Sequence, residues 1–340
     1  MCDDGPDSRL PAIREPSMDR LRADNFYSLP LVTLKPGGHL PFPLYIRSGP
    51  HRFCLYLPAG APLSPSRWQH LSRARTRMVY VAQADRLRHI RYLNDFLESA
   101  INDATLPLDR KTAMVYGAVK EIVRQALEQP MPETIRACAL AASSQVKIIL
   151  ADPGALLNIL KISSYDYYTY THSVNVGFLL MGMLHRLQPH LERSILAEFG
   201  LGGLLHDIGK TRLPRDLLHK PGKFTPDEFL LMQQHPELGL EVLRETYDLS
   251  SRGASVILQH HENLDGSGYP DGLTAPDLNL ASRLVRIIDI YDALTTNRHY
   301  KPAMSPFQAF VLIKDEFALK VDQELVRELI QLVGEPTSSA

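Results

Sequence analysis

From residue 86 to residue 333 the sequence reads as one helical segment after another, and this texture restricts the chain to a mostly α architecture. Helices are predicted over 86–101, 111–129 and 132–150, separated by Leu106-Pro107 and Pro130-Met131-Pro132. Beyond Pro153, five more are predicted over 167–186, 192–208, 226–245, 252–262 and 280–296, then 306–317 and 323–333. Thr225 and Glu228 form a capping box around Pro226 and fix one of these starts. Pro236, directly after His235, removes a backbone donor within the predicted 226–245 helix and should kink it. The segment 263–276 is rich in glycine and proline, and loops of that length inside a compact helical domain are usually functional or disordered.

The N-terminal quarter has a different texture. Residues 1–24 form a polar tail with Pro6, Pro11 and Pro16. Residues 25–105 read as a small α+β domain. Short apolar runs at 43–47 and 52–57 flank Ser48-Gly49-Pro50 and predict a hairpin. Ser64-Pro65 opens a short helix through Leu71, and Met78-Val79-Tyr80-Val81 predicts a further strand. The helices of 106–152 are then expected to connect this domain to a helical domain over 153–340, to pack a homodimer, or both.

Composition excludes several classes. With 37 Lys and Arg against 38 Asp and Glu, the net charge of −1 lacks the basic excess of a protein that coats polymeric nucleic acid. Its three cysteines, Cys2, Cys54 and Cys138, form no CxxC pair, so neither a disulfide scaffold nor a cysteine zinc site is expected. The start Met1-Cys2-Asp3-Asp4 is acidic where a signal peptide is basic. The apolar run 176–184 is far too short for a membrane span. A cytoplasmic protein is expected.

The chemistry is concentrated in histidines at the ends and faces of the C-terminal helices. His206-Asp207 ends an apolar segment, where burying the two together is costly unless they pair or hold a cation. The bland reading is a capped helix end. His260-His261 also follows an apolar stretch; on a helix the two point about 100° apart, and surface decoration is the dull alternative. Asp289 and Asp292 share one helix face with Arg286, so an Arg–Asp surface pair competes with a functional role. His172 reads singly as a satisfied core histidine. Together, His172, His206, His235, His260, His261, Asp207 and Asp289 supply five imidazoles and two carboxylates. That donor set suits iron, manganese, nickel or zinc better than magnesium or calcium. Seven ligands are too many for one tetrahedral ion and suit two adjacent ions, the arrangement of two-metal phosphoester hydrolases.

At these residues the chain resembles the HD-GYP family of cyclic di-GMP phosphodiesterases, within the HD superfamily of metal-dependent phosphohydrolases. The resemblance rests on His206-Asp207-Ile208-Gly209-Lys210, Lys220-Pro221-Gly222, His235 with Gly239, His260-His261-Glu262, and Asp265-Gly266-Ser267-Gly268-Tyr269-Pro270. It continues through Asp289, Asp292-Ala293-Leu294-Thr295, Arg298 and Tyr300-Lys301, and covers about 153–320. It implies an HD-type helical bundle as catalytic domain, preceded by a small regulatory-type domain. It implies one metal on His172, His206, Asp207 and Asp289, and a second on His235, His260 and His261, with Asp207 bridging. Iron or manganese is expected, with nickel and zinc as alternatives. A hydroxide bridging the two ions would attack phosphorus, and Lys210 would share the phosphoryl charge with them. Arg298 and Lys301 would answer the other phosphate, Tyr269 would shape the substrate site, and Gly266 and Gly268 would permit its loop. Asp292 is expected to support a ligand from behind. Some members bind a third metal through a glutamate four residues before the first histidine; here that position is Tyr168, so two metals are expected. Ile288 stands where the family usually has alanine.

The implied reaction opens cyclic di-GMP to linear pGpG, with GMP as a further product, in bacterial second-messenger signalling. Two alternatives stand beside it. One is a low-turnover cyclic di-GMP receptor or scaffold for signalling proteins. The other is a phosphohydrolase of another nucleotide, against which the Gly268-Tyr269-Pro270 loop argues.

Overall fold

Short aromatic and aliphatic runs in the N-terminal segments build a small antiparallel sheet. The computed structural model describes residues 25–49, 52–74, 76, 78–152, 154–163, 169–296 and 302–334. Its strands are β1 (Phe26–Pro30), β2 (Leu44–Gly49), β3 (Arg52–Leu57) and β4 (Met78–Ala82), in the order β1-β4-β2-β3. Leu29 faces Val79 in the β1–β4 register, and Ile46 faces Cys54 in the β2–β3 hairpin. In β4, Val79 and Val81 are buried, while Met78 is exposed. They join Leu29, Phe42, Leu44, Leu57 and Leu71 in one apolar core. Leu71 comes from helix α1 (Pro65–Arg73), where the Ser64 hydroxyl accepts from the Arg67 nitrogen at 3.3 Å. β1 had no counterpart among the strands predicted by residue; Pro30 at its end masks the pattern.

The chain divides into two compact units after Leu93. The remaining elements are helices: α2 (Arg86–Asn102), α3 (Leu108–Glu128), α4 (Pro132–Ala151), α5 (Gly154–Ser163), α6 (Thr169–Leu187) and α7 (Arg193–Leu205). They continue with α8 (Arg215–Leu218), α9 (Pro226–Met232), α10 (His235–Thr246), α11 (Ser251–Gln259), α12 (Leu280–Thr295), α13 (Pro306–Glu316) and α14 (Gln323–Gly334). In the second unit α7 packs against α4, α6 and α11, while α12 packs on α6 and α3 on both α4 and α6. The apolar stripes of α3 and α4 are thus engaged inside this unit. α4 is also long and apolar enough to cross a membrane, the one such helix among the described residues. Its buried side carries Ile135, Ala142, Val146 and Ile149, and the opposite side exposes Glu133, Arg136, Ser143 and Lys147, the pattern of a core helix.

The predicted 226–245 helix is two helices. α9 ends at Met232, and α10 begins at His235 with Pro236 in its first turn. There the missing proline donor costs nothing, because no residue of the first turn has an intrahelical acceptor. The expected kink is therefore a break, and it turns the His235 side chain inward. Other predicted ends also shift. α7 and α11 stop at Leu205 and Gln259, leaving His206 and His260 as their C-terminal caps.

Two local features set the scaffold of the second unit. α6 and α7 cross where Gly203 meets Gly177; a Cβ on Gly203 would lie 3.0 Å from the Gly177 Cα. Gly209 lies in the 3₁₀ turn Ile208–Arg212 against the start of α10, and a Cβ there would collide with the His235 carbonyl oxygen and the Gly239 nitrogen. The 262–274 loop is held by one buried carboxylate. Glu262 Oε1 accepts from the backbone nitrogens of Asp271 at 2.8 Å and Gly272 at 3.1 Å, and Oε2 accepts from Leu273 at 3.0 Å.

Two stability outcomes follow from these contacts. Gly209→Ala forces backbone apart, and urea unfolding should show a loss of about 3 kcal/mol or more; a loss under about 0.5 kcal/mol contradicts the close approach. Glu262→Ala leaves three backbone donors without their charged acceptor. It should cost about 2–4 kcal/mol, and hydrogen exchange should accelerate across residues 264–274. Unchanged protection of that loop would refute the clamp.

Candidate metal centre

Three histidines are fixed by one recurring local device. His206 Nδ1 donates to the Gly203 carbonyl at 2.8 Å, His235 Nδ1 to the Met232 carbonyl at 2.8 Å, and His260 Nδ1 to the Ile257 carbonyl at 2.7 Å. A carbonyl oxygen only accepts, so each Nδ1 carries the proton and each Nε2 presents a lone pair. The carbonyls belong to the last turns of α7, α9 and α11, where acceptors lack intrahelical donors. Each helix end thereby orients an imidazole and is satisfied by it.

The Nε2 atoms converge. His235 Nε2 and His260 Nε2 lie 3.0 Å apart. His206 Nε2 is buried without a hydrogen-bond partner, and so is Asp207 Oδ1. Asp207 follows His206 and lies between the rings, with Oδ2 3.6 Å from His206 Nε2 and Oδ1 3.4 Å from His235 Nε2. Oδ1 is also 3.9 Å from His260 Nε2. Two lone pairs facing each other at hydrogen-bond distance repel unless a cation lies near them.

His172, on α6, is held differently. Its Nδ1 is 2.7 Å from Asp292 Oδ2, and its Nε2 is 3.0 Å from Asp289 Oδ1, both carboxylates on α12. Asp292 Oδ1 accepts from Asn175 Nδ2 at 2.7 Å, and Asn175 Oδ1 accepts from the Tyr116 hydroxyl at 2.7 Å. A chain of buried hydrogen bonds thus runs from α3 to the His172 ring. Tyr116 and Asn175 were not singled out by sequence; each reads as ordinary helix filling.

Electrostatics favour the ligating forms of most of these groups. Burial raises the Asp207 carboxyl, but Lys210 and the neighbouring rings outweigh it and hold it well below the usual carboxylate range. Burial acts likewise on Asp289, and the His172 hydrogen bond and nearby rings again hold it low. Burial lowers His206, and it pushes His235 down to about 4. His260 and His261 are lowered well below the ordinary value, first by burial. Burial opposes charging His172, but its bonds to Asp289 and Asp292 prevail and push it up to about 10. Four neutral imidazoles and two ionised carboxylates are the states that metal ions require.

Seven side chains fall into three overlapping groups: His235, His260 and His261; His172, His206 and Asp289; and His206, Asp207 and His260. Within each group the ligand atoms lie within 4.8 Å of one another. Ligands at 2.0–2.2 Å on opposite sides of one ion stand about 4.4 Å apart, so the spacing fits. The orphaned atoms of His206 and Asp207, the facing His235 and His260 nitrogens and the donor chemistry all fit transition-metal ions. The third group contains Asp207 and joins the other two.

The remaining predicted residues divide. Lys210 Nζ donates to Asp207 Oδ2 at 2.6 Å. Tyr269 stacks on His261 with ring centroids 4.6 Å apart, and its edge meets His235. Gly266 has φ +76°, and a Cβ on Gly268 would strike the backbone of Glu262 and Asn263, so the turn that carries Tyr269 admits neither substitution. Asp292 lies behind His172, on its Nδ1. Arg298 and Lys301, expected at the substrate, lie outside the described residues, as does Tyr168. Arg286, for which a surface pair with the aspartates is the dull alternative in the sequence, lies inside the site: Nη1 is 3.9 Å from Asp289 Oδ2, Nε donates to Asn263 Oδ1 at 3.0 Å and Nη1 to His261 Nδ1 at 3.3 Å.

The comparisons agree with this geometry. Residues 179–325 match the HD domain family model. The chain is 35% identical over 238 residues to cyclic di-GMP phosphodiesterase PA4108 of Pseudomonas aeruginosa, covering 70% of this chain and 56% of that protein. It is 34% identical to a cyclic di-GMP phosphodiesterase of Thermotoga maritima, covering 54% and 49%. It is 34% identical to 3'3'-cGAMP-specific phosphodiesterase 1 of Vibrio cholerae, covering 48% and 37%. The chain thus spans about half the length of these curated relatives or less. The solved structure of Bd1817, an HDG"Y"P protein from Bdellovibrio bacteriovorus, superposes with a TM-score of 0.69 at 22% identity, covering 91% of this chain and 100% of that one. That likeness shows the fold. The matched sequence makes residues 179–325 an HD domain, and the helices there aim three histidines at one shared carboxylate.

Proposed function

We propose that the chain is a metal-dependent phosphodiesterase that hydrolyses cyclic di-GMP to linear pGpG, with GMP as a further product. The observation that carries this reading is the pair of facing nitrogens of His235 and His260, 3.0 Å apart, beside the unpartnered buried atoms of His206 and Asp207. Such an arrangement is unfavourable without cations, and a receptor that only bound the nucleotide would not need it. The names of the relatives support the substrate class. Turnover of a bacterial second messenger fits a cytoplasmic location.

Two divalent ions are proposed, iron or manganese before nickel or zinc, on the imidazole and carboxylate donors. His172, His206, Asp207 and Asp289 would hold one, and His235, His260, His261 and Asp207 the other. When bound, they supply Lewis-acid charge to the phosphoryl oxygens and lower the pKa of the attacking water. The chain's own groups do the rest. Asp207 stays ionised between the rings. Lys210 places an ammonium at the edge of the cluster, where it answers negative charge gathering on phosphorus. Asp292 holds the His172 ring with Nε2 turned inward. Tyr269 covers His261 and presents an aromatic wall to the substrate. In the balanced reaction, water adds to phosphorus, the bond to the ribose oxygen breaks, and that oxygen leaves with a proton.

A second substrate is favoured by one finding, because several relatives are named for 3'3'-cGAMP. Product analysis with cyclic di-GMP and 3'3'-cGAMP side by side decides between them; cleavage of the second alone overturns the first. His206→Ala with Asp207→Ala should lower turnover by more than about a thousandfold and reduce bound metal in elemental analysis. Full turnover with unchanged metal content would refute the centre. Lys210→Ala should lower kcat by about a hundredfold while Tm and metal content hold; an unchanged kcat removes Lys210 from the reaction.

A further inference from the structure

Arg286 is a cation where two metal ions are expected, and its surroundings do not explain it as a surface residue. Its side chain is 15% exposed. The carboxylate three residues on, Asp289, is no hydrogen-bond partner: its Oδ2 is 3.9 Å from Arg286 Nη1, and its other oxygen faces His172. A guanidinium has five N–H donors in a planar fork. Among the described residues only Nε and Nη1 donate, to Asn263 Oδ1 at 3.0 Å and His261 Nδ1 at 3.3 Å. Asn263 in turn donates to Ser267 Oγ at 3.0 Å, which ties the guanidinium to the turn carrying Tyr269. Phe317 lies beneath it, with the guanidinium carbon 5.9 Å from the ring centroid. The group is thus oriented on one face and one edge, while Nη2 makes no hydrogen bond or ion pair among the described residues.

A mostly buried guanidinium whose Nη2 donors are unpaired, with its nearest carboxylate at 3.9 Å and committed to the cluster, is costly beside divalent cations unless a further anion shares the site. Lys210 answers the Asp207 side of the cluster, and Arg286 lies on the His261 side. We infer that Arg286 is a substrate-binding residue, its free N–H groups donating to a non-bridging phosphoryl oxygen of the phosphodiester held at the metal cluster. This deepens the proposed phosphodiesterase reading and rests on it. The fork suits a phosphate with its paired oxygens, and Asn263 keeps it pointed there. A lysine at 286 would keep the charge without the fork.

The test compares wild type, Arg286→Met and Arg286→Lys as metal-loaded full-length chains. Three readouts are taken: metal content, Tm, and calorimetric binding of a hydrolysis-resistant phosphorothioate analogue of cyclic di-GMP and of inorganic phosphate. Arg286→Met should keep metal content and Tm but weaken phosphate and analogue binding by about ten- to hundredfold. Arg286→Lys should recover part of the affinity. Unchanged binding of both probes in the Met variant overturns the inference. Metal loss in that variant also overturns it, because Arg286 would then be a support for His261. If wild type binds phosphate but not the cyclic dinucleotide analogue, the substrate reading fails by itself, and the phosphate difference between wild type and Arg286→Met still decides Arg286.

Discussion

The centre depends on a bond between an imidazole and the helix that ends beside it. Three times, at His206, His235 and His260, Nδ1 donates to the carbonyl three residues back. The bond sets the tautomer, fixes the ring and satisfies a helix-end acceptor together. It also makes the positions of the ligands a consequence of where helices stop. α7 stops at Leu205 and α11 at Gln259, while α10 begins at His235. Moving any of these ends by one residue would rotate a ring away from the others by about 100°.

Around those rings the chain gathers buried carboxylates and imidazoles, with the cations Lys210 and Arg286 beside them. Asp207 and Asp289 remain ionised despite burial, and four imidazoles remain neutral because of it. Such a cluster is unstable as a hydrophobic core and well suited to hold cations. The cost is carried by the packing beneath it, where α6 and α7 touch at Gly177 and Gly203 and bring the His172 and His206 rings to 5.1 Å. The support reaches beyond residues 179–325. His172, Asn175 and Tyr116 all precede that span, yet they form the hydrogen-bonded chain that ends on Asp292. The helices before the matched domain are therefore part of the site's architecture.

The loop after α11 adds a second layer of order. Glu262 gathers three backbone donors, and Asn263 joins Arg286 to Ser267. Together they place Tyr269 over His261. Glycine and proline content marked this segment as functional or disordered, but its clamp could not be read from composition, because a buried glutamate and a surface glutamate are the same letter.

Much was legible in the sequence. Helical periodicity gives the mostly α architecture, the apolar runs give the hairpin, and the spacing of histidines and aspartates nominates the seven side chains that the structure brings together. These are local signals, and local backbone physics produces them. Other features were decided only by tertiary structure. His260 and His261 look divergent on a continuous helix, yet their ring centroids are 4.1 Å apart because the helix ends between Gln259 and His260. His235-Pro236 suggests a kink and proves to be a helix start. For Arg286 a surface pair is one reading of the sequence, and burial places it against His261. For Arg286 the deciding quantity is its distance to His261, a residue on a different segment, and for the histidines it is where each helix stops; sequence spacing settles neither until the helices have packed.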